Sequence, residues 1–138
     1  MRSLIILPVA AAVASCSTAP QERMTSPRSE AKLQQLLAGK VAGPAQDCLS
    51  RLRTSDMVRI DDDTLLFRDG SKRVYLNELE GSCSGLGNSG YALVTKSFGG
   101  NGGQMCRGDI ARTVDLTSGI QAGSCAIGAF VPYTAPRS

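Results

Sequence analysis

Residues 57–79 read MVRIDDDTLLFRDGSKRVYLNEL. Residues 57–60 and 64–68 are short runs of β-branched and apolar residues, with Asp61, Asp62 and Asp63 between them. Arg68-Asp69-Gly70-Ser71 supplies a second turn, because Asp hydrogen-bonds its own backbone and Gly tolerates left-handed torsions. Residues 72–79 then alternate, with Val74 and Leu76 set against Arg73, Tyr75 and Asn77. Successive hairpins of this kind predict an antiparallel meander with one apolar face.

The same rhythm continues downstream. Residues 91–95 form a candidate strand, and residues 104–116 hold another with Ile110, Val114 and Leu116 on one face. Residues 124–133 close the series, with Pro132 marking an edge or an end. About five to seven short strands predict a mainly β fold: a small antiparallel sheet, a sandwich or a partly open barrel. Upstream, residues 27–38 predict one short helix. Ser26 caps it, Pro27 occupies its first turn, Leu33, Leu36 and Leu37 share a face, and Gly39 ends it. That leucine stripe reads as a face docked on the domain rather than a motif for a partner.

Composition narrows the function classes. The chain has 138 residues, 42% hydrophobic and 20% charged, which suits a single globular domain. It contains no histidine, which removes Ser-His-Asp and Cys-His nucleophile chemistry and histidine-liganded metals. A formal charge of +3, with basic residues scattered, gives no footprint for nucleic acid. Three Phe, three Tyr and no Trp leave a modest, mostly aliphatic core, which covalent staples would help.

The N-terminus predicts an address. Met1 and Arg2 carry positive charge, and residues 4–14 (LIILPVAAAVA) are continuously apolar. A helix of that length covers roughly half of a bilayer core, so residues 1–15 read as a signal peptide rather than a membrane span. Val13-Ala14-Ser15-Cys16 resembles the lipobox of bacterial lipoproteins. The resemblance implies acylation of Cys16 and cleavage before it, with Val13 and Ser15 departing from the commoner residues. Ser17 stands where an inner-membrane lipoprotein carries Asp, so the family's sorting implies the periplasmic face of the outer membrane. Residues 16–28 then form the lipidated cysteine and a polar tether, and residues 29–138 a single domain.

Four further cysteines, Cys48, Cys83, Cys106 and Cys125, predict two disulfides in an exported chain. A zinc site is disfavoured because no two of them form the close pair that a zinc knuckle presents. Three pairings are open. We favour a nested one, Cys83–Cys106 inside Cys48–Cys125, because the intervening Gly/Ser/Asn-rich loop needs closing; Cys48–Cys83 with Cys106–Cys125 is the alternative.

Few constellations suggest chemistry. Counted from Asp61, the sixth position of a calcium loop is Leu66 and the twelfth is Lys72, so the Asp triplet reads as a solvated turn. Glu78 and Glu80 lie two apart and read as a charged strand end, although paired carboxylates can serve acid/base hydrolysis. Gly99-Gly100-Asn101-Gly102-Gly103 lacks the Lys-Ser/Thr of a phosphate loop and reads as a mobile connection. Arg107-Gly108-Asp109 matches an adhesion tripeptide by letters alone, and the neighbouring Cys106 points to structure. No metal or cofactor is expected.

The domain also resembles a family of small exported bacterial proteins known only as a domain of unknown function. The resemblance rests on Leu37-Ala38-Gly39-Lys40, Ala42-Gly43-Pro44 and Cys48-Leu49, then Ile60-Asp61-Asp62 and Arg73-Val74-Tyr75-Leu76-Asn77. Cys83-Ser84-Gly85-Leu86, Cys106 with Asp109, Ser124-Cys125-Ala126-Ile127-Gly128 and Phe130-Val131-Pro132-Tyr133 complete it. It implies an envelope location and supplies no activity, substrate or catalytic residue. The expectation is a lipid-anchored, non-catalytic envelope module that binds a protein or cell-wall partner. The alternative is a small hydrolase using Glu78, Glu80 or Asp109.

Overall fold

The computed structural model describes residues 25–97 and 102–137. Helix α1 (Pro27–Leu37) is followed by ten strands: β1 (Val41–Ala42), β2 (Cys48–Ser50), β3 (Met57–Arg59), β4 (Thr64–Asp69), β5 (Arg73–Glu78), β6 (Tyr91–Lys96), β7 (Gln104–Cys106), β8 (Ile110–Asp115), β9 (Gln121–Ala126) and β10 (Phe130–Thr134). All pairings are antiparallel. A five-stranded sheet runs β1-β10-β5-β4-β3, a three-stranded sheet β6-β8-β9, and a two-stranded ribbon joins β2 to β7.

The meander stands as β3-β4-β5, in register Leu66 opposite Val58 on one side and Leu76 on the other. Its sheet is buried on both faces. One face contributes Leu65, Phe67, Tyr75 and Phe130 to the main core, which Ala111, Cys125 and Ile127 complete. The other face offers Ile60, Leu66, Val74 and Leu76 to Leu33, Leu36 and Leu37 of α1. Hence residues 65–67 are apolar without a break, as expected where both faces are covered. The assignment of Tyr75 and Asn77 to an outer polar face is therefore corrected: both are buried in the main core region. Layers of helix, sheet and sheet make this a sandwich.

α1 forms as its sequence predicts. Ser26 Oγ accepts the Ser29 N–H at 3.1 Å, Pro27 sits at the start, and Gly39 follows with φ +70°. Its leucine stripe is a docked face.

Downstream the boundaries differ. The 104–116 segment is two strands, β7 and β8, turned at Arg107-Gly108-Asp109, and residues 124–133 are split between β9 and β10 by the Ile127–Ala129 crossover. Ile110, Val114 and Leu116 do share a side of their segment, but it is the outer one. Ala111 and Thr113 face the core, and a register shift lies between Thr113 and Val114. Small residues win that inner face because the β9 neighbour and the Cys83–Ser84 backbone approach closely. A Cβ on Gly123 would lie 2.5 Å from the Ser84 nitrogen.

Two disulfides staple the chain: Cys48–Cys106 within the β2–β7 ribbon, and Cys83–Cys125 between the loop after β5 and strand β9. Neither the nested pairing, Cys83–Cys106 with Cys48–Cys125, nor its alternative is correct. Cys48 and Cys106 are directly opposed across the β2–β7 ribbon. The loop after Cys83 contains a full strand, β6, which carries the chain across the sandwich, so Cys106 returns beside Cys48. Cys83 meets β9 instead.

Candidate functional site

The cysteines define the rigid part of the molecule. Cys83 and Cys125 are buried in the main core, whereas Cys48 and Cys106 are half-buried. Beside the half-buried bridge runs an open cleft of about 440 Å³. Leu76, Val131 and Tyr133 give it an apolar floor, and Glu78, Glu80 and Arg107 stand at its rim. A shallower extension, lined by Asp47, Cys48, Cys106 and Gly108, continues past Glu80 and Arg107 to the disulfide.

Each rim residue has a structural reason for its position. Glu78 ends β5, and Glu80 lies in the bridge that pairs it with Ala126. The Glu80 backbone both donates to and accepts from Ala126, at 2.8 and 2.9 Å. Arg107 is held by its N–H on the Asp47 carbonyl at 2.6 Å, and its Nε lies 3.4 Å from Glu80 Oε1. Exposed to water, that ion pair is worth little to stability, but it orients both side chains over the cleft.

The cleft wall at Gly128-Ala129 is built by Asn77. Its Nδ2 donates to the carbonyls of Gly128 at 2.7 Å and Ala129 at 3.2 Å, while its Oδ1 accepts the Gly128 N–H. Gly128 packs directly on the Glu78 carbonyl, where a Cβ would collide with that oxygen. Alternation alone hides the role of Asn77, although a lone amide in an apolar strand core is a signal for it.

Asp109 does not join the carboxylates of the cleft. It is almost fully buried, and its Oδ2 accepts the Cys106 N–H at 2.8 Å and the Ser97 hydroxyl at 3.0 Å. It braces the turn that carries Cys106, so the adhesion-like tripeptide is a structural turn.

The Asp triplet is likewise more than a solvated turn: all three residues are half-buried. Asp62 receives the Gly85 and Gly87 N–H groups at 3.1 and 2.9 Å, which pins the loop after Cys83 to the β3–β4 turn. Asp61 Oδ1 accepts the Asp63 N–H, and Oδ2 is buried without a hydrogen-bond partner. Burial, reinforced by Asp63, raises the Asp61 pKa above its ordinary value. Among the described residues, no group of three or more such ligands is placed to hold a metal ion.

Cys16, with its lipobox-like context, lies outside the described residues, as do Gly99, Gly100 and Asn101. Among the described residues, no helix is long and apolar enough to cross a membrane. No family model, curated protein or solved structure matches the chain.

Proposed function

We propose that the protein is a lipid-anchored module of the bacterial envelope, held at the periplasmic face of the outer membrane by acylated Cys16. Its part is to bind a protein or cell-wall partner through the cleft beside Cys48–Cys106. The observation that carries this reading is the pair of interlaced disulfides. Such staples persist in oxidising compartments, which agrees with the export signal in residues 1–15. They also fix the β2–β7 ribbon and β9, the elements beside the cleft, as a rigid platform for Glu80 and Arg107. Binding favours groups placed on such rigid elements, because little ordering entropy is lost on contact.

The test is the intact mass of native protein from a membrane fraction, with and without reduction before thiol alkylation. The expected result is a chain beginning at acylated Cys16 that takes alkyl groups at four cysteines only after reduction. An unlipidated chain with freely alkylating thiols overturns the proposal.

One observation favours a second reading, a carboxylate hydrolase: Glu78 and Glu80 share the cleft rim. Engagement of Glu80 by Arg107 and the diversion of Asp109 into a turn brace favour binding over it. Turnover of wall, lipid or peptide substrates, lost in both Glu78→Gln and Glu80→Gln, would establish the hydrolase instead.

A further inference from the structure

The β8–β9 turn displays aliphatic side chains outward. Leu116 is 66% and Ile120 68% exposed, on either side of Thr117-Ser118-Gly119. This exposure is built into the turn. The Asp115 carboxylate accepts the N–H groups of Thr117 and Ser118 at 2.7 and 2.9 Å, and the Gly119 N–H closes on the Asp115 carbonyl. Gly119 takes φ +71°, which Gly adopts freely. The turn is thus closed on its polar side, and its one carboxylate is occupied by its own backbone. What it offers outward is Leu116 and Ile120.

The turn lies at the end of the sandwich from which the N-terminal segment departs. The Leu116 N–H donates to the Gly90 carbonyl at 2.9 Å, which fixes the turn beside the loop preceding β6. That loop, through Gly87, Asn88 and Ser89, shares a groove with Arg28, Ser29 and Lys32 in the first turns of α1. Arg59 ties the same corner together, donating to the carbonyls of Asn88 and Tyr91 at 3.2 and 2.7 Å. Cys16 precedes the first described residue, Thr25, by about nine residues, which span at most about 30 Å even when fully extended.

We infer that the Leu116–Ile120 turn is a membrane-contact surface, which inserts its two aliphatic side chains into the interface of a phospholipid bilayer. This rests on the anchored reading: a lipid on Cys16 confines the domain near the bilayer, with this corner nearest the tether. Arg28 and Lys32 stand at this corner together with Asp61, Asp62 and Asp63, so the contact rests on the two aliphatic side chains and the short tether rather than on headgroup charge. Anchoring by lipid is strengthened by a second contact with the bilayer, because the tether raises the local concentration of the contact surface.

The chain contains no tryptophan, so one introduced residue reports its own surroundings. The experiment uses the full chain purified from membranes, carrying Leu116→Trp, Ile120→Trp or Leu52→Trp. Each protein is weighed intact and reconstituted into phosphatidylglycerol-containing vesicles with brominated acyl chains. Leu52 is the control. It is 89% exposed, and its neighbour Arg51 reaches Ser97, beyond the far end of β6. The expected result is blue-shifted emission and several-fold stronger bromine quenching at positions 116 and 120 than at 52. Equal quenching at all three positions in an acylated protein overturns the membrane contact and leaves the anchor standing. A mass without acyl groups overturns the anchored reading, and this inference with it. A blue shift that needs no vesicles and grows with protein concentration assigns the turn to a second copy, which also overturns the membrane contact.

Discussion

Asn77 lies without exposed surface one residue before the end of β5, between Leu65 on one neighbouring strand and Phe130 on the other. Its amide satisfies three backbone groups of Gly128 and Ala129 that have left the sheet ladder. Removing it leaves those groups buried without partners, a penalty of about 1–3 kcal/mol for each group left unmade. Asn77→Ala should therefore lower stability by roughly 3 kcal/mol or more in urea unfolding, with the loss concentrated at the cleft wall. Asp61 behaves in the opposite sense. Its pKa is raised by burial and then by Asp63, so the favourable state is the protonated one. That contribution is complete below the ordinary carboxyl value of about 4 and is lost as pH rises through the folded-state pKa. Asp61→Asn keeps an oxygen for the Asp63 N–H and removes the buried charge. It should raise the melting temperature at pH 7, with a smaller gain at pH 4, in parallel thermal scans. A wild-type advantage at pH 7 would count against this account of Asp61.

Among the elements, β3, β4 and β5 were legible because alternation, the Asp triplet and the Asp69-Gly70 turn act locally. Disulfide pairing is non-local and was not legible: it depends on β6 carrying the chain across the sandwich, which no spacing between cysteines encodes. The outward face of β8 was hidden for a related reason. Gly123 and the Cys83–Ser84 backbone admit only Ala111 and Thr113 on the inner side, and aliphatic residues were left outside. The pairing has a measurable consequence. The bridges close segments of 58 and 42 residues, and closing loops of this size contributes about 4 kcal/mol each through the unfolded state. Cys83 and Cys125 also fill the main core, whereas Cys48 and Cys106 lie at its margin. Partial reduction under native conditions should open Cys48–Cys106 first, as read by alkylation and peptide mapping. The double change Cys83→Ser with Cys125→Ser should destabilise more than Cys48→Ser with Cys106→Ser, because it adds lost core packing to the same loop entropy.

At the scale of the molecule, the two cores differ in how tightly they are closed. The main core holds Leu65, Phe67, Leu79 and Phe130 with no exposed surface and is crossed by a disulfide. The outer core lies under α1, none of whose residues is fully buried, and it has no covalent tie. The N-terminal half of the helix is fastened to the sheet by polar contacts, Ser29 Oγ and Lys32 Nζ donating to the carbonyls of Ile60 and Arg59, while Lys40 Nζ caps its own C-terminus at the Leu36 carbonyl. The helix and its leucine face were plain in the sequence, whereas the second apolar face of the meander was signalled only by the unbroken Leu65-Leu66-Phe67 run and was masked in β5 by the polar groups of Tyr75 and Asn77. A weakly closed outer layer over a stapled inner one should open separately. In native-state hydrogen exchange, α1 amides should exchange through a local opening while those of β4 and β5 wait for global unfolding. Leu36→Ser tests the coupling. Loss of about 1.4 kcal/mol of packing corresponds to tenfold in the opening equilibrium, so exchange in α1 should accelerate roughly tenfold or more. Protection in β5 should change far less, since Tyr75 and Leu65 remain covered from the other side. Equal acceleration in α1 and β5 would mean that the helix and sheet open as one unit, and that α1 is integral to the stapled core rather than a layer upon it.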